Sequence, residues 1–402
     1  MSNISNHLLF LHYDPEVTPQ QLIDEHRAFG AEFPDVPRPP RRPSADGKIR
    51  VGYVSPDFRA HACACFLDPL ITAHDRTLFE IYCYSSKAET VGDHVAEHFK
   101  SIAQWRSIAG LDDDTVRAMI AADGIDVLVD CAGHTAGKRI TLFAQRPAPM
   151  SVTYLGYPDT TGLRQIDYRI TDAVADPRDE GNNFAVEELV RLPRGFLTYD
   201  PLAETPLPSP PPYLRNGYIT FGCFNNRSKV NDDMLALWGR ILREVPNSRL
   251  LLKDKRWTGR PFLGVSPERV QLAAFAPTQS QHFAAYGAVD IALDAFPYNG
   301  TTTTCDALWM GVPVVALRGK HHAARVSASL LTCVGRQDLI AETPDEYVAK
   351  AVSLAQDTQA LAQHRAEARQ AFLASPLGNA NMLARDMEAF FIQALARMGS
   401  QG

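Results

Sequence analysis

Four consecutive threonines, Thr301–Thr304, follow Asn299-Gly300 and lead into Cys305-Asp306. Two short apolar runs flank them, Asp290-Ile-Ala-Leu-Asp294 and Val312-Pro-Val-Val-Ala-Leu317, with Gly311 closing the interval. The order predicts a buried strand, a tight turn, a short helix and a second buried strand. In such a unit the first-turn N–H groups and the positive end of the helix dipole face the crevice at the strand ends, where a diphosphate binds. A lone threonine there would be an ordinary N-cap. A run of four offers more hydroxyls than capping needs, and Asp306, one turn in, can accept from ribose hydroxyls.

Three further groups could act on such a ligand. Lys229 ends the stretch Phe221-Gly-Cys-Phe-Asn-Asn-Arg-Ser-Lys229, after one expected strand and before an expected helix. A compact ammonium there can sit against phosphate charge, although solvated surface lysines are far commoner. His61 closes Ser55-Pro-Asp-Phe-Arg-Ala-His61 after the first strand, where a histidine can orient or deprotonate an acceptor near neutral pH. His134 lies in the glycine-rich Asp130-Cys-Ala-Gly-His-Thr-Ala-Gly137, a weaker candidate for a pocket wall, and Leu155–Gly162 could wrap a small polar ligand. A plain turn explains the last two nearly as well.

Composition narrows the choices. The 402 residues suit about two α/β domains, with 45% hydrophobic and 21% charged residues. A net charge of −6 argues against nucleic acid as the main partner. The 7 cysteines are scattered and form no CxxC pair, so neither zinc nor a disulfide framework is expected. The single Asp-x-Asp spacing falls in Asp112-Asp113-Asp114, ahead of an expected helix, and reads as a dipole-favoured first turn. No metal and no cofactor are therefore expected: preorganised donors and a lysine can stabilise a leaving phosphate by themselves. The start lacks a signal-peptide pattern and no apolar run reaches bilayer length, so a cytoplasmic protein without a membrane partner is expected.

The elements needed to hold these residues alternate. A helix is predicted over Thr18–Phe29, then a proline-rich connector, Pro34–Pro43. Strands are expected at Ile49–Val54, Phe79–Tyr84, Ile125–Val129, Ser151–Leu155 and Tyr168–Thr171, with helices at Val91–Phe99 and Asp113–Ala122. Pro201–Pro212 reads as a linker. Beyond it come Ile219–Cys223, a helix at Asn231–Glu244, Arg249–Lys253 and Val270–Phe275, and a helical tail over Asp345–Met398 broken at Ser375-Pro376. The expected boundaries are 1–45 for a helix and connector, 46–200 and 213–375 for two Rossmann-like domains, and 376–402 for a terminal helix.

Arg50–His61, Asp123–Thr135, Arg146–Pro149 with Leu155–Pro158, Phe224–Lys229, Tyr298–Trp309 and Arg325–Gly335 resemble, in order, the catalytic region of the O-linked N-acetylglucosamine transferase family, its SPINDLY branch included. That resemblance implies the α/β GT-B fold, two doubly wound Rossmann-like domains facing across a cleft, with 46–200 on the acceptor side and 213–375 holding the nucleotide sugar. It implies an inverting, metal-independent glycosyltransferase that moves N-acetylglucosamine from a UDP-sugar to Ser/Thr hydroxyls of a polypeptide. Glucose to Asn, fucose from GDP, a sugar-nucleotide epimerase and a degenerate nucleotide-binding module stay open. It further implies that His61 stands at the position proposed as catalytic base, a donor phosphate oxygen being the other proton acceptor. Asn226 and Lys229 would hold the diphosphate, Ala276 and Pro277 would meet the base, His282 would stand near the nucleotide, Thr301, Thr302 and Thr303 would bind phosphate at the helix start, and Asp306 would contact the ribose. The chain departs from the family at Asn226, where some members have Gln, and at Thr301, where some have His. Its stretch Lys253–Pro267 is shorter than a helix between two strands would need. With no tetratricopeptide array in these residues, acceptor selection is expected from the cleft itself or from a separate adaptor.

Overall fold

The computed structural model describes residues 2–274 and 276–399. The first sheet contains β1 (Ile49–Ser55), β2 (Phe79–Ser85), β3 (Gln104–Ser107), β4 (Val127–Asp130), β5 (Met150–Thr153), β6 (Tyr168–Asp172) and β7 (Glu188–Leu192). All its pairings are parallel, in the order β3-β2-β1-β4-β5-β6-β7. The second sheet contains β8 (Thr220–Cys223), β9 (Arg249–Leu252), β10 (Val270–Leu272), β11 (Ile291–Leu293), β12 (Val314–Leu317) and β13 (Ile340–Ala341). It too is parallel, in the order β10-β9-β8-β11-β12-β13. Strands β4, β5, β8 and β12 are buried at every position, as central strands of a parallel sheet covered on both faces are. The strand order reverses between β1 and β4 and again between β8 and β11, and ligands of open α/β sheets bind at such reversals.

The chain divides into two compact units, one of residues 1–11, 17–202 and 379–402 and the other of residues 12–16 and 203–378. In the first unit the helix Ala380–Gly399 docks through Glu388, whose Oε1 accepts from the Asp75 N–H at 2.8 Å and lies 2.9 Å from His74 Nδ1. In the second, Phe221, Trp238, Ile241, Leu250, Ile291 and Tyr347 form the centre of the core beneath the sheet. None of the described helices is long and apolar enough to cross a membrane.

Most expected elements are present, with bounds shifted by a few residues, and the misses have physical reasons. The helix Pro19–Gly30 starts where expected, with Thr18 and Gln21 forming a capping box. The helix Ser2–Leu11 was not anticipated; it buries Leu8 completely against the first core. Strands β3 and β7 were missed because they are sheet edges with polar, half-exposed residues. Pro69 inside the helix Ala64–Ala73 hid that element. The tail breaks at Asp357 as well as at Ser375, Asp357 capping the second helix through Ala360 N. The strand expected over Val270–Phe275 ends at Leu272, and Phe275 lies outside the described residues.

Gly30 closes the helix Pro19–Gly30 against the Leu155–Gly162 loop. A Cβ there would meet Gly162 O at 1.8 Å, and one on Gly162 would meet His26 O at 2.1 Å. Gly→Ala in a helix ordinarily adds about 1 kcal/mol of stability. Gly30→Ala should instead destabilise the protein, by about 1–3 kcal/mol or more from overpacking. Urea denaturation reads the sign, and an unchanged or higher midpoint would show that the crossing yields.

Candidate functional site

Asp294, at the end of β11, organises the corner at the second reversal. It is 2% exposed, and burial pushes its carboxyl up. Its Oδ1 accepts from Asn225 Nδ2 at 2.9 Å, from Ala295 N at 2.8 Å and from Gly300 N at 2.8 Å. Asn225 follows β8, so this carboxylate joins the loops that leave β8 and β11. Asn225 Oδ1 then accepts from Thr303 Oγ1 at 2.7 Å, fixing the first turn of the helix Thr302–Trp309.

Lys229 reaches the same corner. Its ammonium donates to Asn299 O at 2.6 Å and lies 4.0 Å from the centre of the Tyr298 ring. Burial lowers its pKa to about 8, with Asp294 and Cys223 opposing the shift. Lys229 thus reaches the segment that leads into the helix, and Asn226 stands three residues before that lysine on the turn after β8. The four threonines do not all remain available, however. Thr303 Oγ1 is engaged by Asn225 and Thr304 Oγ1 pairs with Ser327 Oγ at 2.9 Å, so these hydroxyls build the corner. The first-turn amides keep no intrahelical acceptor, as at any helix start.

Beside this corner lies a cavity of about 270 Å³ lined by Phe224, Lys253, Ala273, Ala276 and His282. Pro277 is exposed next to it. His282 Nε2 is 2.9 Å from Asp306 Oδ2, and its Nδ1 is 2.5 Å from Lys253 Nζ. An ammonium can only donate, so Nδ1 carries the lone pair and Nε2–H donates to Asp306. Burial lowers Lys253 to about 8, against the pull of Asp306. Lys253 was read only as the end of a strand; its partnership with His282 spans 29 positions and left no sequence signal. The same holds for Asn225, Asp294 and Tyr298, whose contacts bridge distant segments.

In the first unit, His61 stands on the loop after β1, at that sheet's own reversal. Its Nδ1 accepts from Cys63 N at 3.2 Å and lies 3.3 Å from Asp57 Oδ1. Burial lowers the His61 pKa below 6.5, Asp57 opposing and Arg59 and Lys87 reinforcing the shift. Nε2 makes no hydrogen bond among the described residues. Ligand atoms of Asp57, His61 and Cys63 lie within 4.8 Å of one another. Arg59 pairs with the Asp57 carboxylate at 3.2 Å, so a positive charge already lies beside one member of the group.

His134, expected to line a pocket, is a correction. It is 0% exposed, its Nδ1 lies 3.0 Å from Ser5 Oγ and its Nε2 2.8 Å from Thr161 O. Burial drives its pKa down to about 3. Both nitrogens are used to tie the helix Ser2–Leu11 and the Leu155–Gly162 loop to the sheet, so none faces a ligand.

The sequence model of glycosyl transferase family 41 matches residues 34–203 and 212–387. A protein of Solanum lycopersicum described as a probable UDP-N-acetylglucosamine–peptide N-acetylglucosaminyltransferase SPINDLY is 40% identical over 96% of this chain and 43% of its own length. The corresponding SEC protein of Arabidopsis thaliana is 30% identical over 88% of this chain and 38% of its own length. The chain therefore spans less than half the length of these curated relatives. Among solved structures, a mutant of the Thermobaculum terrenum O-GlcNAc transferase superposes with a TM-score of 0.91 at 32% identity, covering 100% of this chain and 79% of that one. The fold is accordingly GT-B, α/β with two parallel sheets.

Replacing the carboxylate that joins the two loops tests the corner directly. Asp294→Ala leaves three donors without their acceptor. Each buried donor stranded in this way costs about 1–3 kcal/mol. The denaturation midpoint should drop clearly, and a midpoint equal to that of the unaltered protein would remove Asp294 from this role.

Proposed function

Since the chain belongs to glycosyl transferase family 41, we propose that it transfers N-acetylglucosamine from UDP to Ser/Thr hydroxyls of a polypeptide, with inversion and without a metal. The observation that carries this reading is the meeting of Lys229 with the helix start: its Nζ lies 2.6 Å from the carbonyl of Asn299, two residues ahead of Thr301. A leaving diphosphate gains negative charge as the sugar C1–O bond breaks, and fixed donors aimed at that charge lower the barrier. Lys229, Asn226 and the amides of Thr302 and Thr303, with the Thr301 hydroxyl beside them, fill the place a divalent cation would otherwise take. Ala276, Pro277 and His282 receive the base in the adjoining cavity, and Asp306 accepts from the ribose.

The acceptor hydroxyl attacks C1 from the face opposite the leaving group, which inverts the centre. Its proton passes to His61 Nε2, while the electron pair of the broken bond leaves with UDP. In the catalytic tautomer Nδ1–H donates to the Asp57 carboxylate instead of accepting from Cys63 N, and Nε2 keeps the lone pair. Asp57 is thus a positioning residue for His61. The cytoplasm suits the buried thiols Cys83, Cys131 and Cys223, since reducing compartments keep thiols in that state.

Co-expression with a peptide library and mass spectrometry tests the whole reading: the added mass names the sugar and the modified residue names the linkage. Addition of a hexose to Asn, or of a deoxyhexose from GDP-fucose, would overturn the donor and acceptor stated above. Lys229→Ala should weaken UDP binding roughly 10- to 100-fold, the range for a hydrogen bond to a charged group. Calorimetry showing the same affinity in both proteins would sink that role.

His61→Ala should cut turnover roughly 10²- to 10³-fold, as expected for a lost general base, with UDP affinity little changed. The signs of the two shifts predict a bell. A base works unprotonated, so kcat/KM falls only in acid, below the usual 6.5 of histidine. The ammonium works protonated, so kcat/KM also falls as pH rises through about 8. Bound diphosphate favours the charged lysine and should move the alkaline limb upward in kcat. A profile flat from pH 5 to 9 would contradict both assignments.

A further inference from the structure

The connector between β9 and β10 contains no α-helix; residues 253–266 run as irregular chain to the short turn Pro267–Arg269. It substitutes for a helix by inserting Leu263, which is 5% exposed, into the second core, with Trp257 and Val265 packed alongside. The guanidinium of Arg227 lies 4.6 Å from the centre of the Trp257 ring, pinning the connector to the turn that carries Asn226 and Lys229. That path brings Arg256 onto the same turn. Its Nη1 donates to Asn226 Oδ1 and, at 3.3 Å, to Ser228 Oγ.

Asn226 Oδ1 also accepts from Ser228 N at 3.0 Å, so two donors hold the carbonyl side of the amide. An amide held by its oxygen can offer only its NH₂, and Nδ2 has no hydrogen bond among the described residues. The Arg256 side chain is 48% exposed and its Nε lies 3.6 Å from Asp254 Oδ1. Tyr13, whose ring stacks on Tyr298 at 5.1 Å, feels the charge of Arg256, which pulls against the burial that raises its phenol. Since Lys229 covers the same Tyr298, the two cations flank one aromatic pair.

We infer that Arg256 is a second cation of the diphosphate site: it locks Asn226 so that Nδ2 donates to the diphosphate, and it adds its own delocalised charge. The role rests on the donor-binding reading above and extends it to a residue of the irregular connector.

Calorimetry with UDP on the full chain, alongside ligand-observed NMR with uridine, tests this. Arg256→Ala should weaken UDP binding roughly tenfold, the low end for a charge-assisted contact, and leave uridine binding within twofold because the base cavity is untouched. Arg256→Lys keeps the charge but not the planar guanidinium that reaches both Asn226 and Ser228, and should recover only part of the loss. UDP affinity within twofold of the unaltered protein in Arg256→Ala overturns the role of Arg256 alone. Equal losses for UDP and uridine overturn it as well, since they would mark a collapsed pocket. If the unaltered protein binds neither UDP nor GDP, the donor-site reading falls and Arg256 with it.

Discussion

One buried carboxylate holds the corner at the second reversal together. Asp294 accepts from Asn225, Ala295 and Gly300, and so ties the loop after β8 to the loop after β11 where the sheet order reverses. The Asn225–Thr303 and Lys229–Asn299 contacts join the same two loops and complete the tie. The cost is a charge kept out of water, visible in the upward push on Asp294, and the nearby ammonium of Lys229 partly offsets it. The pair is therefore structural before it is functional: the carboxylate positions the amides, and the lysine it favours is the one a phosphate would meet.

The same balance recurs along the cavity. Burial weakens the charged form of Lys229 and of Lys253, holding both near 8, while Asp294 and Asp306 pull in the other direction. Groups poised in this way respond strongly to an incoming anion, because little interaction is needed to settle them as cations. His282 lies between Lys253 and Asp306 with its tautomer fixed by both neighbours. Its ring is thereby oriented at the cavity wall rather than left to rotate.

Segments remote in sequence complete both units. Residues 12–16 belong with the second unit, where Tyr13 stacks on Tyr298, although they lie next to a helix of the first. The helix Ala380–Gly399 returns to the first unit through Glu388 and the buried His74. His134 shows the reverse lesson: a histidine in a glycine-rich loop at a strand end looked available, but the helix Ser2–Leu11 covers it. A glycine-rich loop signals close approach of something, and here the close approach is by the protein itself.

Residue type and spacing alone determined the alternation of strand and helix, the threonine-headed helix and the strand-end positions of Lys229 and His61. Those features are local, because apolar runs, caps and turn residues act over a few positions. Tertiary structure decided which hydroxyls stay available. Thr303 and Thr304 are spent on Asn225 and Ser327, contacts that reach across 78 and 23 positions. It also decided the partners of Asp294, the Lys253–His282–Asp306 line and the delivery of Arg256. Each of these depends on a sheet order that reverses and on a connector that does not form a helix, and pairing of that kind leaves no periodicity in the chain for a reader to find.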